Sequence, residues 1–166
     1  LAMNDRVLFQ EVQKPTVNNQ HAKAKYQSFD CSIMNIADDI AYGVHDLEDA
    51  IQLHLISRDK FDSTYLRTLL KETIFKDSLQ SLLDLLFSDI IYERKEAIGK
   101  LVNYFVTAIE VKVSSEKFIN DLLKYRAFLL PEADALLEYL KNCIYDNVID
   151  SHHAWICEYS GQVIVQ

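Results

Sequence analysis

Glycine and proline are scarce, with three Gly and two Pro in 166 residues. So little turn punctuation argues against a fold rich in tight hairpins and makes helices the default expectation. Cysteine is nearly as sparse. Cys31, Cys143 and Cys157 are odd in number and widely spaced, which argues against a disulfide framework or a zinc site and points to a reducing compartment. No apolar run approaches the ~18 residues of a membrane span. No signal-peptide pattern opens the sequence, so a cytoplasmic protein is expected. Positive charge is also short: 17 Lys and Arg face 25 Asp and Glu, for a net charge of −8. General binding to a nucleic-acid backbone is therefore not expected. A polyanionic small molecule remains possible if a metal ion supplies the positive charge.

What is present is a globular profile, 49% hydrophobic and 25% charged. The length suits a single helical domain over residues 1–166. We expect an N-terminal segment and loop over 1–30, helices over 31–150 and a short hairpin over 154–165. The opening Leu1, and a stop directly after the second expected strand, lead us to expect a piece of a longer chain.

Helical periodicity is strongest from Ile36, where Ile36, Ile40, Val44, Leu47 and Ile51 share one face, with Asp30 or Ser32 as the cap. Further helices are expected over Ser63–Phe75, Ser78–Phe87, Asp89–Lys112 and the segment "SSEKFINDLLKY". The last expected helix starts at Pro131, with Glu132 and Asp134 in its first turn, and ends near Ile149. "AWICEYSGQVIV" alternates around Ser160-Gly161 and reads as the hairpin. Tyr92, Tyr104 and Tyr139 sit at core-like spacings and are read as packing residues, as are Trp155 and Tyr159 on the hairpin.

The stretch "NIADDIAYGVHDLEDAI", Asn35–Ile51, carries five acids opposite its apolar stripe. Asp38, Tyr42 and Asp46 stand at i, i+4 and i+8, stepping about 40° each around a helix. The first carboxylate could hold a metal, the ring could pack on a sugar or base, and the second carboxylate could accept a hydrogen bond from a hydroxyl. Spacing alone leaves open the plainer reading, a solvated acidic face. Arg94 and Lys95 could reach a triphosphate or could be solvated charges on an amphipathic helix. Gly43 could make room for a substrate or a neighbouring helix. His152-His153 has no third ligand close in sequence and reads as a loop pair.

"IADDIAYGVHDLEDAI" closely resembles the motif of the HD-domain deoxynucleoside triphosphate triphosphohydrolases, the dGTPase-like family, with A-D-D-I-A-Y and H-D-L-E-D both in register. "DCSIM" before it fits as well, and a weaker likeness runs to "EYSGQVIV". The resemblance implies an all-α helical bundle of the HD type with a short C-terminal β-hairpin. It implies cleavage of a dNTP, dGTP favoured, into deoxynucleoside and triphosphate, with a divalent ion such as Mg or Mn as cofactor and a homo-oligomeric assembly. Residue by residue, it makes Asp38 the last ligand of the family's His…His-Asp…Asp metal site, Tyr42 the deoxyribose-packing ring and Asp46 the acceptor for the 3′-hydroxyl, with Arg94 a further substrate contact. His45-Asp46 is not the family's metal pair, because on a helix its side chains diverge by about 100°. The earlier ligands and proton-transfer residues have no counterpart here, so no catalytic residue is assigned and the chain alone is expected to be incomplete. The alternative is a non-catalytic helical interaction or regulatory module.

Overall fold

The period-3.6 stripe through Ile40, Val44, Leu47 and Ile51 becomes the buried face of the longest helix, α1, Phe29–Gln52. The structure is a computed structural model, and it describes residues 26–114, 117–118 and 120–149. After α1 come α2 (Arg58–Phe61), α3 (Thr64–Leu70), α4 (Leu79–Leu86) and α5 (Ile91–Thr107). A two-stranded ribbon follows, β1 (Ile109–Val113) and β2 (Tyr125–Leu129), and then α6 (Pro131–Ile144) with a wide π-type turn over Tyr145–Ile149. The chain is mainly helical, as its composition and periodicity imply.

Helix α1 starts a full turn or more before Ile36. Its N-terminus is held by the Ser28 hydroxyl, which accepts from Cys31 N at 3.2 Å, so neither Asp30 nor Ser32 is the cap. The expected helix over Ser63–Phe75 is shorter, closing at Leu70. Its Ser63 cap is real and accepts from Leu66 N at 3.0 Å. Pro131 opens α6 as expected, where its missing N–H costs nothing.

The main departure lies after Ala108. The helix expected to reach Lys112 stops at Thr107, and the described residues of "SSEKFINDLLKY" hold no α-helix. The reason is a change of period: Ile109, Val111 and Val113 are β-branched and alternate with Glu110 and Lys112, a strand pattern. They pair antiparallel with β2, from Ile109↔Leu129 to Val113↔Tyr125. Between the strands, the Asn120 side chain accepts from Leu122 N at 2.9 Å and sets a single 3₁₀ turn, Asp121–Leu123, rather than a helix. The hairpin expected over 154–165, with Trp155 and Tyr159, and the His152-His153 pair lie outside the described residues.

The chain forms two compact units, with α1 contributing to both. The first takes residues up to Asp38 together with Ile109–Leu129. In it, the buried Ser32 hydroxyl donates to Phe29 O at 2.6 Å and accepts from Ala127 N at 2.9 Å, tying β2 to the first turns of α1. The second takes Asp39–Ala108 and the chain from Leu130 onward. Its core is aliphatic with a few rings: Phe61 meets Phe87 and Tyr139, and Phe75 meets Tyr104 edge-on at 5.3 Å. Tyr104 is buried and Tyr139 half-buried, as packing residues should be, but Tyr92 is 68% exposed and does not pack.

Candidate functional site on helix α1

The acidic ridge lies on one continuous helix. Asp38, Tyr42 and Asp46 occupy successive i, i+4 positions of α1, opposite the buried stripe. Asp38 is exposed, while Tyr42 and Asp46 are half-buried. That gradient is not that of an evenly solvated face. A ring and a carboxylate that are half-covered already are better held than side chains moving freely in water.

Three contacts hold α1 in place around the ridge. At Gly43 the backbone meets α6 so closely that a Cβ would stand 2.7 Å from Leu137 Cδ1, so this glycine serves a helix crossing. The crossing brings Lys141 onto α1, where its Nζ donates to Asp39 at 3.2 Å and to Glu138 at 2.7 Å. Burial pulls the Lys141 pKa down, but these two hydrogen bonds outweigh it and hold the ammonium above the ordinary lysine value. Farther along, Lys95 reaches Glu48 at 3.6 Å. Two of the five acids in this stretch, Asp39 and Glu48, are thus paired with lysines, and neither is a member of the Asp38–Tyr42–Asp46 row.

Arg94 and Lys95 part company. Lys95 is exposed. Arg94 is 8% exposed, donates from Nη1 to Ser88 O at 2.8 Å and leaves Nε buried with no partner among the described residues. It lines a cleft of about 530 Å³ between the end of α1 and the start of α5, together with Ile51, Gln52, His54 and Arg58. Periodicity marked Arg94 only as a charge on an amphipathic helix. The signal that could have placed it inward is its spacing from Ala97, Ile98 and Leu101, which are all buried. Lys141 also escaped the sequence reading, because no local pattern links it to Asp39.

A divalent ion does not fit the described residues by themselves. No group of three or more His, Cys, Asp or Glu among them converges on one point, and Asp38 supplies a single exposed carboxylate. Stable sites for such ions need several protein ligands or a rigid oxygen cage. Among the described residues, no helix is long and apolar enough to cross a membrane.

No family model matches the chain. Individual relatives are more informative. A deoxyguanosinetriphosphate triphosphohydrolase-like protein of Vibrio campbellii is 41% identical over 99% of this chain. Proteins of the same name from Shewanella woodyi and Actinobacillus succinogenes are 43% and 41% identical over 88% and 99% of it. The chain spans only 38%, 33% and 37% of those relatives. Over nearly its whole length, this chain is similar to deoxyguanosinetriphosphate triphosphohydrolase-like proteins of Vibrio campbellii and Actinobacillus succinogenes, and it spans little more than a third of their length.

Proposed function

We propose that the chain is part of a metal-dependent dNTP triphosphohydrolase that splits a dNTP, dGTP foremost, into deoxynucleoside and triphosphate. The observation that carries this reading is the Asp38–Tyr42–Asp46 row on α1, within a chain whose relatives bear the dGTPase-like name. In this reading Tyr42 packs its ring against the deoxyribose. Asp46 accepts a hydrogen bond from the 3′-hydroxyl and so orients the sugar. Asp38 contributes one carboxylate to a divalent ion whose other ligands come from outside the described residues. When bound, the ion would orient the α-phosphate and activate water. The lysines on Asp39 and Glu48 reduce the negative charge that a triphosphate would meet along α1.

The reading extends to a cytoplasmic enzyme that assembles as a homo-oligomer. Among the described residues no such ligand set converges, and in this reading the 166-residue chain alone is inactive. The test is metal-dependent release of triphosphate by the longer protein that contains this chain, in the wild type and in Asp38→Asn. The substitution keeps shape but removes the charge that binds metal, so activity and metal affinity should both collapse. Full activity in Asp38→Asn, or triphosphate release by the 166-residue chain with contaminants excluded, would favour the module reading or an unrecognised ligand set.

A further inference from the structure

The ribbon leaves one strand edge open. Ser114 N donates to Lys124 O at 2.8 Å and Leu130 N to Ala108 O at 2.9 Å, so it is the even-numbered residues of β1 that exchange hydrogen bonds with β2. The N–H and C=O groups of Ile109, Val111 and Val113 therefore point away from β2. The same parity turns Ala127 N outward on the other strand, where the Ser32 hydroxyl accepts from it at 2.9 Å. Helix α1 thus covers the outer edge of β2, whereas among the described residues no strand pairs with the outer edge of β1.

Open edges are commonly blunted by a proline, a bulge or an uncompensated charge. Strand β1 has none of these. It pairs in unbroken register through all its residues, it contains no proline, and Lys112 is neutralised by Glu110 at 2.9 Å. Ile109, Val111 and Val113 share one face, and the two valines are 54% and 62% exposed. Glu110 and Lys112 share the other face.

We propose that β1 pairs antiparallel with β1 of a second copy of this chain, about a two-fold axis at Val111, to make a four-stranded sheet. In that register the strand complements itself. Val111 faces its own counterpart, Ile109 faces Val113, and Glu110 of each copy faces Lys112 of the other. Backbone parity selects the same register independently, because the residues with outward N–H and C=O groups become the hydrogen-bonded pairs. A shift by one residue breaks that parity. The two nearest shifts that keep it set Glu110 against Glu110 or Lys112 against Lys112, which is repulsive. The contact is one strand wide, well below the ~1,600 Å² of a standard interface, so the dimer is weak. This pairing deepens the homo-oligomeric reading above by giving it a contact surface, and it stands apart from the chemistry of the α1 ridge.

The test is sedimentation equilibrium of the 166-residue chain over a concentration series, with amide hydrogen exchange measured alongside. The wild type should form a concentration-dependent dimer, and exchange at Ile109, Val111 and Val113 should slow as the dimer fills. Glu110→Lys and Lys112→Glu are changes at exposed positions that leave the core intact. Each puts like charges opposite one another twice and should weaken the dimer about tenfold or more. Mixing the two single variants should restore association, as should the double exchange in one chain. A merely structural Glu110–Lys112 pair would not produce that rescue. A chain that stays monomeric throughout would overturn the proposal. So would protection of Val111 that does not depend on concentration, which would give the edge to another segment of the same chain. Association of equal strength in the wild type and both single variants would overturn this contact alone and leave assembly through another face standing.

Discussion

Leu137 packs against the bare backbone of Gly43, so closely that a Cβ on Gly43 would fall 2.7 Å from its Cδ1. Alanine would favour the helix by about 1 kcal/mol. Leu137 is 2% exposed, however, so its side chain must shift within packed surroundings. Overpacking costs about 1–3 kcal/mol, so Gly43→Ala should lower stability by about 1 kcal/mol net. Denaturant unfolding of Gly43→Ala, Leu137→Ala and the double variant should give a double that is less damaged than the sum. Strict additivity would mean the two residues do not clash.

Ser32 and Ala127 make a second checkable contact. Ser32→Ala leaves the buried Ala127 N–H without its acceptor, at about 1–3 kcal/mol. Hydrogen exchange should speed up in β1 and β2 while α4 and α5 keep their protection. Unchanged protection of Ala127 would remove this bond from the account.

The two packed tyrosines should respond oppositely to loss of the hydroxyl. Tyr139 Oη donates to Phe61 O at 2.7 Å, so Tyr139→Phe should cost about 1 kcal/mol. The Tyr104 hydroxyl is buried with no partner among the described residues, so Tyr104→Phe should be neutral or stabilising. Burial raises both phenol pKa values, with the charge of Glu132 adding to it at Tyr104 and the Ser63 hydrogen bond opposing it at Tyr139. Groups raised in the folded state contribute fully below the unfolded phenol value of about 10, and that contribution is lost as pH rises through the higher folded values. Thermal unfolding from about pH 8 to about pH 11 should therefore show a steeper alkaline loss in the wild type than in either Phe variant. Parallel curves would contradict it.

Thiol chemistry offers a check on burial. Cys31 is exposed and Cys143 is buried, with its thiol pushed up by burial and then by Asp146. Peptide mapping after brief alkylation at about pH 8 should find Cys31 modified well before Cys143. Equal rates would place Cys143 in a more open environment than the structure does.

The stripe of α1, the Ser63 cap and Pro131 at the start of α6 were legible because each is a local signal, set by residues a turn apart. The ribbon was missed for a local reason too: the long periodic run from Ile91 to Ala108 hid the switch to period 2 at Ile109-Glu110-Val111. Tyr92 was misread because its spacing fits the core while its position, in the first turn of α5, lies beyond the packed part of the helix. What could not be read at all was tertiary. Lys141 lies far along the chain from Asp39, and only the crossing at Gly43 joins them. Likewise Arg94 and Arg58 meet one cleft through a turn whose course no short pattern specifies. The ridge itself was visible as a row of residue types, but its meaning came from resemblance rather than from spacing.

Most directly at stake is whether Asp46 reads the 3′-hydroxyl of a deoxynucleotide. The measurement is kcat/KM for dGTP and for its 3′-deoxy analogue, in the longer protein that contains this chain and in its Asp46→Ala variant. Losing the acceptor strands a hydroxyl donor, at about 1–3 kcal/mol, or roughly ten- to hundredfold in kcat/KM. That loss is expected for dGTP, and a much smaller one for the analogue, which has no 3′-hydroxyl to satisfy. Equal losses on both substrates would contradict the role given to Asp46.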